Sequence, residues 1–351
     1  MSLTLTVDGA RWRAHLRDLA DRTPGLVPVV KGNGYGFTRG RLARRAAWLG
    51  VDTLAVGTYA ELPDVASRFD GSLLVLTPWR PFVPDLEPAL AKRVVHTLGR
   101  VEDVEALLAR QPDARFVLEL LTSMQRHGFR ARELWAAAER LRSLNTGRLE
   151  GVALHLPLAQ GSHLGEVHRL VNDAIGAGLR GLDTLWVSHL TSSELATVRQ
   201  SYADFAIRPR IGTQLWLGDR DALRVRATVL DVHAVERGDS FGYRSRTAPK
   251  GGHLVVVSGG TAHGIGLEAP TGDHSLKSRA ATVARGGMDA VGFVRSPFSI
   301  DGKQRLFAEP PHMQASMLFV PAGAHVPRIG DEVDVRVRYT ATTFDHIVVT
   351  D

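Results

Sequence analysis

From residue 9 to about residue 215, short apolar runs alternate with amphipathic stretches. The apolar runs are Leu26–Val30, Thr53–Val56, Leu73–Leu76, Val94–His96, Arg115–Leu120, Leu149–Ala153, Thr184–Ser188 and Ile211–Leu215. They are short and rich in β-branched residues, as buried strands are. Between them, Arg39–Leu49, Tyr59–Arg68, Glu102–Arg110, Ala131–Leu144 and His163–Ala177 carry helical periodicity. Asp8 is placed to cap a first helix over Gly9–Arg22. Eight strand candidates separated by helices predict a parallel (β/α)8 barrel over residues 9–220. A doubly wound sheet calls for a G-x-G-x-x-G turn after the first strand. The run Gly32-Asn33-Gly34-Tyr35-Gly36-Phe37 misses that pattern at its last position.

Past about residue 220 the helical period fades. Val225–His233, Leu254–Ser258, Ala290–Arg295, Ala315–Val320, Glu332–Tyr339 and His346–Thr350 read as strands punctuated by glycine and proline. Residues 221–351 are therefore expected to form an all-β domain, which the strand-like N-terminus, residues 1–8, can join.

The boundary of the first strand carries the most chemistry. In Val29-Val30-Lys31-Gly32-Asn33-Gly34-Tyr35-Gly36 a lysine closes the apolar run and a glycine-rich turn follows. Barrel active sites lie at the C-terminal ends of the strands. A lysine there meets a ligand, and the glycines let the backbone come close to it.

Composition narrows the function classes. The chain has 351 residues, enough for a barrel and a smaller domain. There is no cysteine, hence no disulfide, thiolate metal site or cysteine nucleophile. The formal charge is +6 with both signs interspersed, and no dense basic tract argues for nucleic acid. No apolar run reaches the roughly 18 residues of a membrane span. Met1–Asp8 lacks the basic and apolar regions of a secretory signal, so a cytoplasmic location is expected. A mildly basic enzyme with an anionic cofactor and substrate fits this balance.

The lysine motif resembles V-V-K-A-N-A-Y-G-H-G of the alanine racemases, fold-type III pyridoxal-phosphate enzymes with a barrel and a C-terminal β domain. In that family the lysine binds pyridoxal 5'-phosphate covalently and the tyrosine holds its phosphate, positions that fall here on Lys31 and Tyr35. Thr122-Ser123-Met124-Gln125-Arg126-His127-Gly128 resembles T-G-M-x-R-x-G, which makes Arg126 the arginine near the cofactor's phenolic oxygen. Three residues before Thr122 the family often has a carbamylated lysine orienting that arginine. Glu119 stands there, a carboxylate expected to pair with Arg126 without carbamylation. His155 matches the histidine packed on the pyridine ring. Ser188-His189-Leu190-Thr191-Ser192-Ser193 resembles H-x-x-N-S, with Ser193 as the phosphate-binding serine. Arg210-Ile211-Gly212-Thr213-Gln214-Leu215-Trp216 resembles R-P-G-I-A-x-Y. There the arginine donates to the pyridine nitrogen, and the N–H groups matching Gly212 and Thr213 bind phosphate.

In the β domain the resemblance is looser but collinear. Asp239–Ala248 resembles S-Y-G-x-T-Y-T-A, whose tyrosine is the second catalytic base, donated across a dimer interface. Phe241 keeps the S-x-G frame but transfers no proton, which favours the nearby Tyr243. Gly260-Thr261-Ala262-His263-Gly264 stands for G-Y-A-D-G, so Thr261 replaces a tyrosine at the substrate entrance. Pro311-His312-Met313-Gln314 stands for S-M-D-Q. Met313 would offer its N–H to a substrate carboxylate, and Gln314 replaces the aspartate. Phe344 falls where a phosphate-binding tyrosine is expected.

The resemblance implies a homodimeric amino-acid racemase working by two-base proton transfer between Lys31 and Tyr243, with Arg126 and Met313 at the substrate. A decarboxylase or metal-assisted lyase on the same fold is the alternative enzyme. Decarboxylase relatives carry a cysteine that this chain lacks, and His312 and His346 are not at metal-ligand spacing, so no metal is expected. A non-enzymatic pyridoxal-phosphate-binding barrel would lack the β domain. The amino acid itself is not legible.

Overall fold

A computed structural model describes residues 2–144, 146–158, 161–267 and 294–351. The chain divides into two compact units, Ala14–Gly218 and Met1–Arg13 with Asp219–Asp351. The first cut falls inside a helix, α1 (Gly9–Asp21), which follows strand β1 (Leu3–Asp8). The Asp8 carboxylate accepts the Arg11 N–H at 2.9 Å and caps it.

The first unit is a closed parallel barrel of eight strands: β2 (Val27–Val30), β3 (Thr53–Val56), β4 (Ser72–Val75), β5 (Val94–Leu98), β6 (Arg115–Leu120), β7 (Arg148–His155), β8 (Thr184–Ser188) and β9 (Ala206–Ile211). Helices α2 (Arg39–Trp48), α3 (Leu62–Ala66), α4 (Pro88–Ala91), α5 (Val101–Arg110), α6 (Ala131–Leu144), α7 (Leu164–Gly176) and α8 (Ser192–Ser201) alternate with the strands. The barrel is filled by Val27, Val29, Ala55, Leu74, Val95, Val117, Ala153 and Trp186, all buried. A second buried cluster, including Phe116, Leu118, Leu134, Leu154, Val167 and Leu185, joins strands to helices. Alternate strand residues thus serve two cores.

The eighth strand is displaced from the expected run. It occupies Ala206–Ile211, and most of Ile211–Leu215 falls beyond it, in a short helix, α9 (Thr213–Leu217), capped by Gly212. Pro209 inside the strand masks it in sequence, because proline weakens a strand reading. Leu215, the apolar end of the expected run, is buried from a helix instead, as is the next residue, Trp216. The Trp216 indole donates to the Val29 carbonyl at 2.8 Å and ties α9 to β2.

The second unit contains β10 (Leu223–Val235), the hairpin β11 (Ser240–Phe241) and β12 (Arg246–Thr247), then β13 (Gly252–Ser258), β14 (Arg295–Ile300), β15 (Lys303–Phe307), β16 (Ala315–Pro321), β17 (Glu332–Val335) and β18 (His346–Thr350). Its main sheet runs β13-β16-β15-β14-β17-β10-β1-β18, and β10 also pairs with β13. The N-terminal strand joins this unit, antiparallel to β10 and parallel to β18. The expected strand Ala290–Arg295 lies mostly outside the described residues. Besides the short hairpin β11–β12, two strands went unanticipated. β14 contains Pro297, and β15 opens on the polar Lys303 and Gln304. Among the described residues, no helix is long and apolar enough to cross a membrane.

Candidate active site

Strand parity assembles the site. On β2, β6, β7 and β8 the inward positions run Val29, Val117, Ala153, Trp186, and two residues on come Lys31, Glu119, His155 and Ser188. On β9 the Arg208 guanidinium lies 5.1 Å over the Trp186 ring, and Arg210 follows two residues later. Each chemical residue is therefore the next inward position beyond, or at the top of, an apolar column.

Arg210 is buried and donates from Nη2 to the Leu154 carbonyl at 2.9 Å. Its Nη1 is 3.5 Å from the buried Glu119 carboxylate. Among the described residues its buried Nε has no hydrogen-bond partner. Burial pushes the Glu119 carboxyl above its ordinary range, opposed first by Arg210 and then by Arg126. The expected Glu119–Arg126 ion pair is thus replaced by Glu119–Arg210. Glu119 points into the barrel from β6, whereas Arg126 sits exposed in the turn that follows. Arg126 acts at longer range, lowering the pKa values of Lys31 and His155.

Lys31 follows β2 directly. Burial lowers its pKa most, the charges of Arg126 and Arg210 lower it further, and Glu61 opposes them. Glu61 is the residue that sequence reading passed over. Its carboxylate accepts the Gly32 N–H at 2.8 Å and the Gly57 N–H at 2.7 Å, pinning the lysine turn to the end of β3. Its only sequence signal is the T-x-x-E spacing of Thr58 and Glu61, a capping-box pattern.

The His155 imidazole is held neutral. Burial and the surrounding positive charges bring its pKa down to about 3. Its Nδ1 is 3.1 Å from the Ser188 hydroxyl, and the Thr122 hydroxyl donates to its carbonyl at 2.7 Å. His189 packs beside it, ring centroids 5.1 Å apart, from a left-handed backbone position (φ 61°).

Tyr35 is buried in the glycine turn, also at positive φ (54°). Its hydroxyl lies against Gly212, where a Cβ would meet it at 2.0 Å. Only glycine fits there. Burial pushes the Tyr35 phenol up to about 12, so it stays protonated. Gly212 and Thr213 form the start of α9. Ser193 is exposed in the first turn of α8, its hydroxyl 3.1 Å from that of Thr191, which caps the helix.

Lys31, Tyr35, Arg126, His155, Ser193, Arg210, Gly212 and Thr213 thus belong to the barrel unit, and Tyr243 and Met313 to the β unit. Tyr243 lies in the turn between β11 and β12 and is 86% exposed, whereas Phe241 is half-buried on β11. Met313 is also exposed.

The profile for the alanine racemase N-terminal domain matches residues 7–216. An alanine racemase of Nitratidesulfovibrio vulgaris (strain DSM 19637 / Miyazaki F) is 27% identical over 269 residues, 71% of this chain and 72% of that protein. One from Mycolicibacterium vanbaalenii is 29% identical over 261 residues, 68% of this chain and 66% of that protein. Among solved structures, the alanine racemase of Bartonella henselae with covalently bound pyridoxal phosphate superposes with a TM-score of 0.74 at 16% identity, over 100% of both chains. A histidine racemase of Leuconostoc mesenteroides subsp. sake superposes with a TM-score of 0.66 at 14% identity, over 99% of this chain and 98% of that one. The profile match spans the strands that carry Lys31, Glu119, His155 and Arg210, and with it the chain belongs to the alanine racemase family.

Proposed function

We propose that this chain is a pyridoxal-phosphate-dependent amino-acid racemase that works as a homodimer. The observation that carries the reading is the buried Nε of Arg210, without a partner among the described residues, in a barrel mouth that also holds Lys31. A donor left bare in a buried site calls for an acceptor from a ligand. The pyridine nitrogen of the cofactor supplies one. The Gly212 cradle against the Tyr35 hydroxyl suits a phosphate in the same way.

In this reading Lys31 holds the cofactor covalently. Tyr35, Ser193 and the N–H groups of Gly212 and Thr213 would hold its phosphate, His155 would pack on its ring, and Arg210 would donate to its nitrogen. When bound, pyridoxal phosphate acidifies the Cα–H of an attached amino acid. The chain's own groups then decide the outcome. An arginine facing the ring nitrogen leaves it unprotonated, which favours proton shuttling over transamination. Lys31, its pKa lowered by burial and by Arg126 and Arg210, gives up its ammonium proton readily and takes a proton from Cα. Tyr243 of a second copy would serve the opposite face, and two bases on opposite faces make a racemase. Its exposure, against the half-burial of Phe241, supports that choice. Arg126 and the Met313 N–H would meet the substrate.

The test is an absorbance spectrum of purified protein, followed by a Cα exchange screen over both enantiomers of the common amino acids in deuterated water. A visible band lost in Lys31→Ala, with exchange and D/L conversion of at least one amino acid, is expected. A band that survives Lys31→Ala after borohydride and dialysis sinks the lysine assignment. Exchange without conversion points instead to a one-base reaction.

A further inference from the structure

The β unit surrounds Tyr243 with a second set of ionisable groups. Glu309, two residues past β15, is only 3% exposed. One carboxylate oxygen accepts the Tyr243 N–H at 2.9 Å, and the other is 2.6 Å from His312 Nε2. The His312 ring packs on the Tyr243 ring, centroids 4.7 Å apart and tilted by 57°. Gly242, at φ 72°, lets the hairpin turn run onto the carboxylate, since a Cβ there would sit 2.2 Å from it. Among the described residues the Tyr243 phenol has no hydrogen bond, so its ring is oriented by the contact with His312.

A buried carboxylate facing Nε2 fixes the imidazole tautomer with the proton on Nε2 and leaves Nδ1 as a lone-pair acceptor. A single carboxylate therefore holds the backbone of the exposed tyrosine and, through His312, its ring. Surface ion pairs are made by long, mobile side chains. Here the carboxylate at the centre is buried, while the tyrosine it holds is 86% exposed.

We propose that His312 and Glu309 are positioning residues for Tyr243, fixing its ring on the side of the reaction opposite Lys31. The inference rests on Tyr243 being the second base.

The experiment compares Tyr243→Phe, His312→Ala and Glu309→Gln in the holoenzyme, with alanine and the amino acid exchanged fastest in the screen. His312→Ala is expected to slow D/L conversion roughly 10–100-fold, the effect typical of losing a group that orients a reactive residue. KM stays near its original value, and exchange on the Lys31 face persists. Added imidazole partly restores conversion. Glu309→Gln keeps an amide oxygen for the Tyr243 N–H but turns a donor toward His312. Ring 15N spectra of His312, which need no turnover, should then show the proton moved from Nε2 to Nδ1. If Tyr243→Phe abolishes conversion while His312→Ala leaves it unchanged, the inference fails and the racemase reading stands. If Tyr243→Phe also leaves conversion unchanged, both fail. Should His312→Ala not fold, an unaltered His312 tautomer in Glu309→Gln overturns the proposal.

Discussion

Arg210 Nη1 stands 3.5 Å from the Glu119 carboxylate, and neither side chain is more than 6% exposed. The pair makes β6 and β9 electrostatically dependent on one another. It also keeps a cation beneath the mouth of the barrel, where its charge lowers the pKa values of Lys31 and His155.

Glu119→Gln removes half of that pair at nearly constant volume. Breaking a buried pair by losing one partner typically costs about 3–5 kcal/mol, and urea unfolding of the variant should fall in that range. A loss no larger than the roughly 0–1 kcal/mol of a surface pair would mean that solvent already reaches Arg210. Because the negative charge belongs to glutamate and needs no carbamylation, activity should be indifferent to added bicarbonate.

Gly212→Ala places a methyl group 2.0 Å from the Tyr35 hydroxyl. Gly212 is not at a positive φ (−115°), so no left-handed backbone adds to the clash. The tyrosine must move, and its ring is buried. Affinity for pyridoxal phosphate, read by fluorescence titration of the cofactor-free protein, should drop at least roughly tenfold, as expected for a misplaced first contact. Unchanged affinity would remove Tyr35 and Gly212 from the phosphate site.

Acid should weaken the fold through His155. Its pKa falls from 6.5 to about 3 on folding. Between those values the unfolded chain binds a proton that the folded chain refuses, so stability declines as pH falls through that window and is level above it. Denaturation of wild type and His155→Gln at a series of pH values measures this. The difference between the two should change between about pH 6.5 and 3, and a constant difference would show that the ring titrates normally.

Tyr243→Phe should remove D/L conversion while leaving the visible band of the lysine-bound cofactor intact. Loss of one proton-transfer group typically costs on the order of 10²–10⁴-fold. Conversion unchanged in the variant would end the two-base mechanism for this chain.

Most of the barrel was legible because strands such as β2, β3 and β5 bury both faces, and a nearly continuous apolar run survives in the sequence. Site residues were legible where they terminate such a run, as Lys31 and His155 do. The partner of Glu119 was not. Parity tells that its side chain points inward, but the neighbour it meets depends on how the strands stagger around the closed sheet. Arg126 is seven residues away in sequence and Arg210 is on another strand. Glu61 was missed for the reverse reason: its pattern is that of an ordinary helix cap, and its bonds to Gly32 and Gly57 arise only when β2 and β3 lie side by side. In the β unit, Pro297 and the polar start of β15 hid two strands whose stability comes from their neighbours.

β1 is made before the barrel during translation, yet both of its neighbours come after it. Thr4 to Asp8 pair with His346 to Thr350, and Leu3 to Val7 with Leu223 to Ala227. Until the barrel has been made, Leu3, Leu5 and Val7 have no sheet to enter. During translation, therefore, all the barrel strands have been made while β1 still waits with open edges. That interval is where premature pairing with other chains is most damaging. Slowed elongation late in the message should lower the yield of native protein more than the same slowing within the barrel.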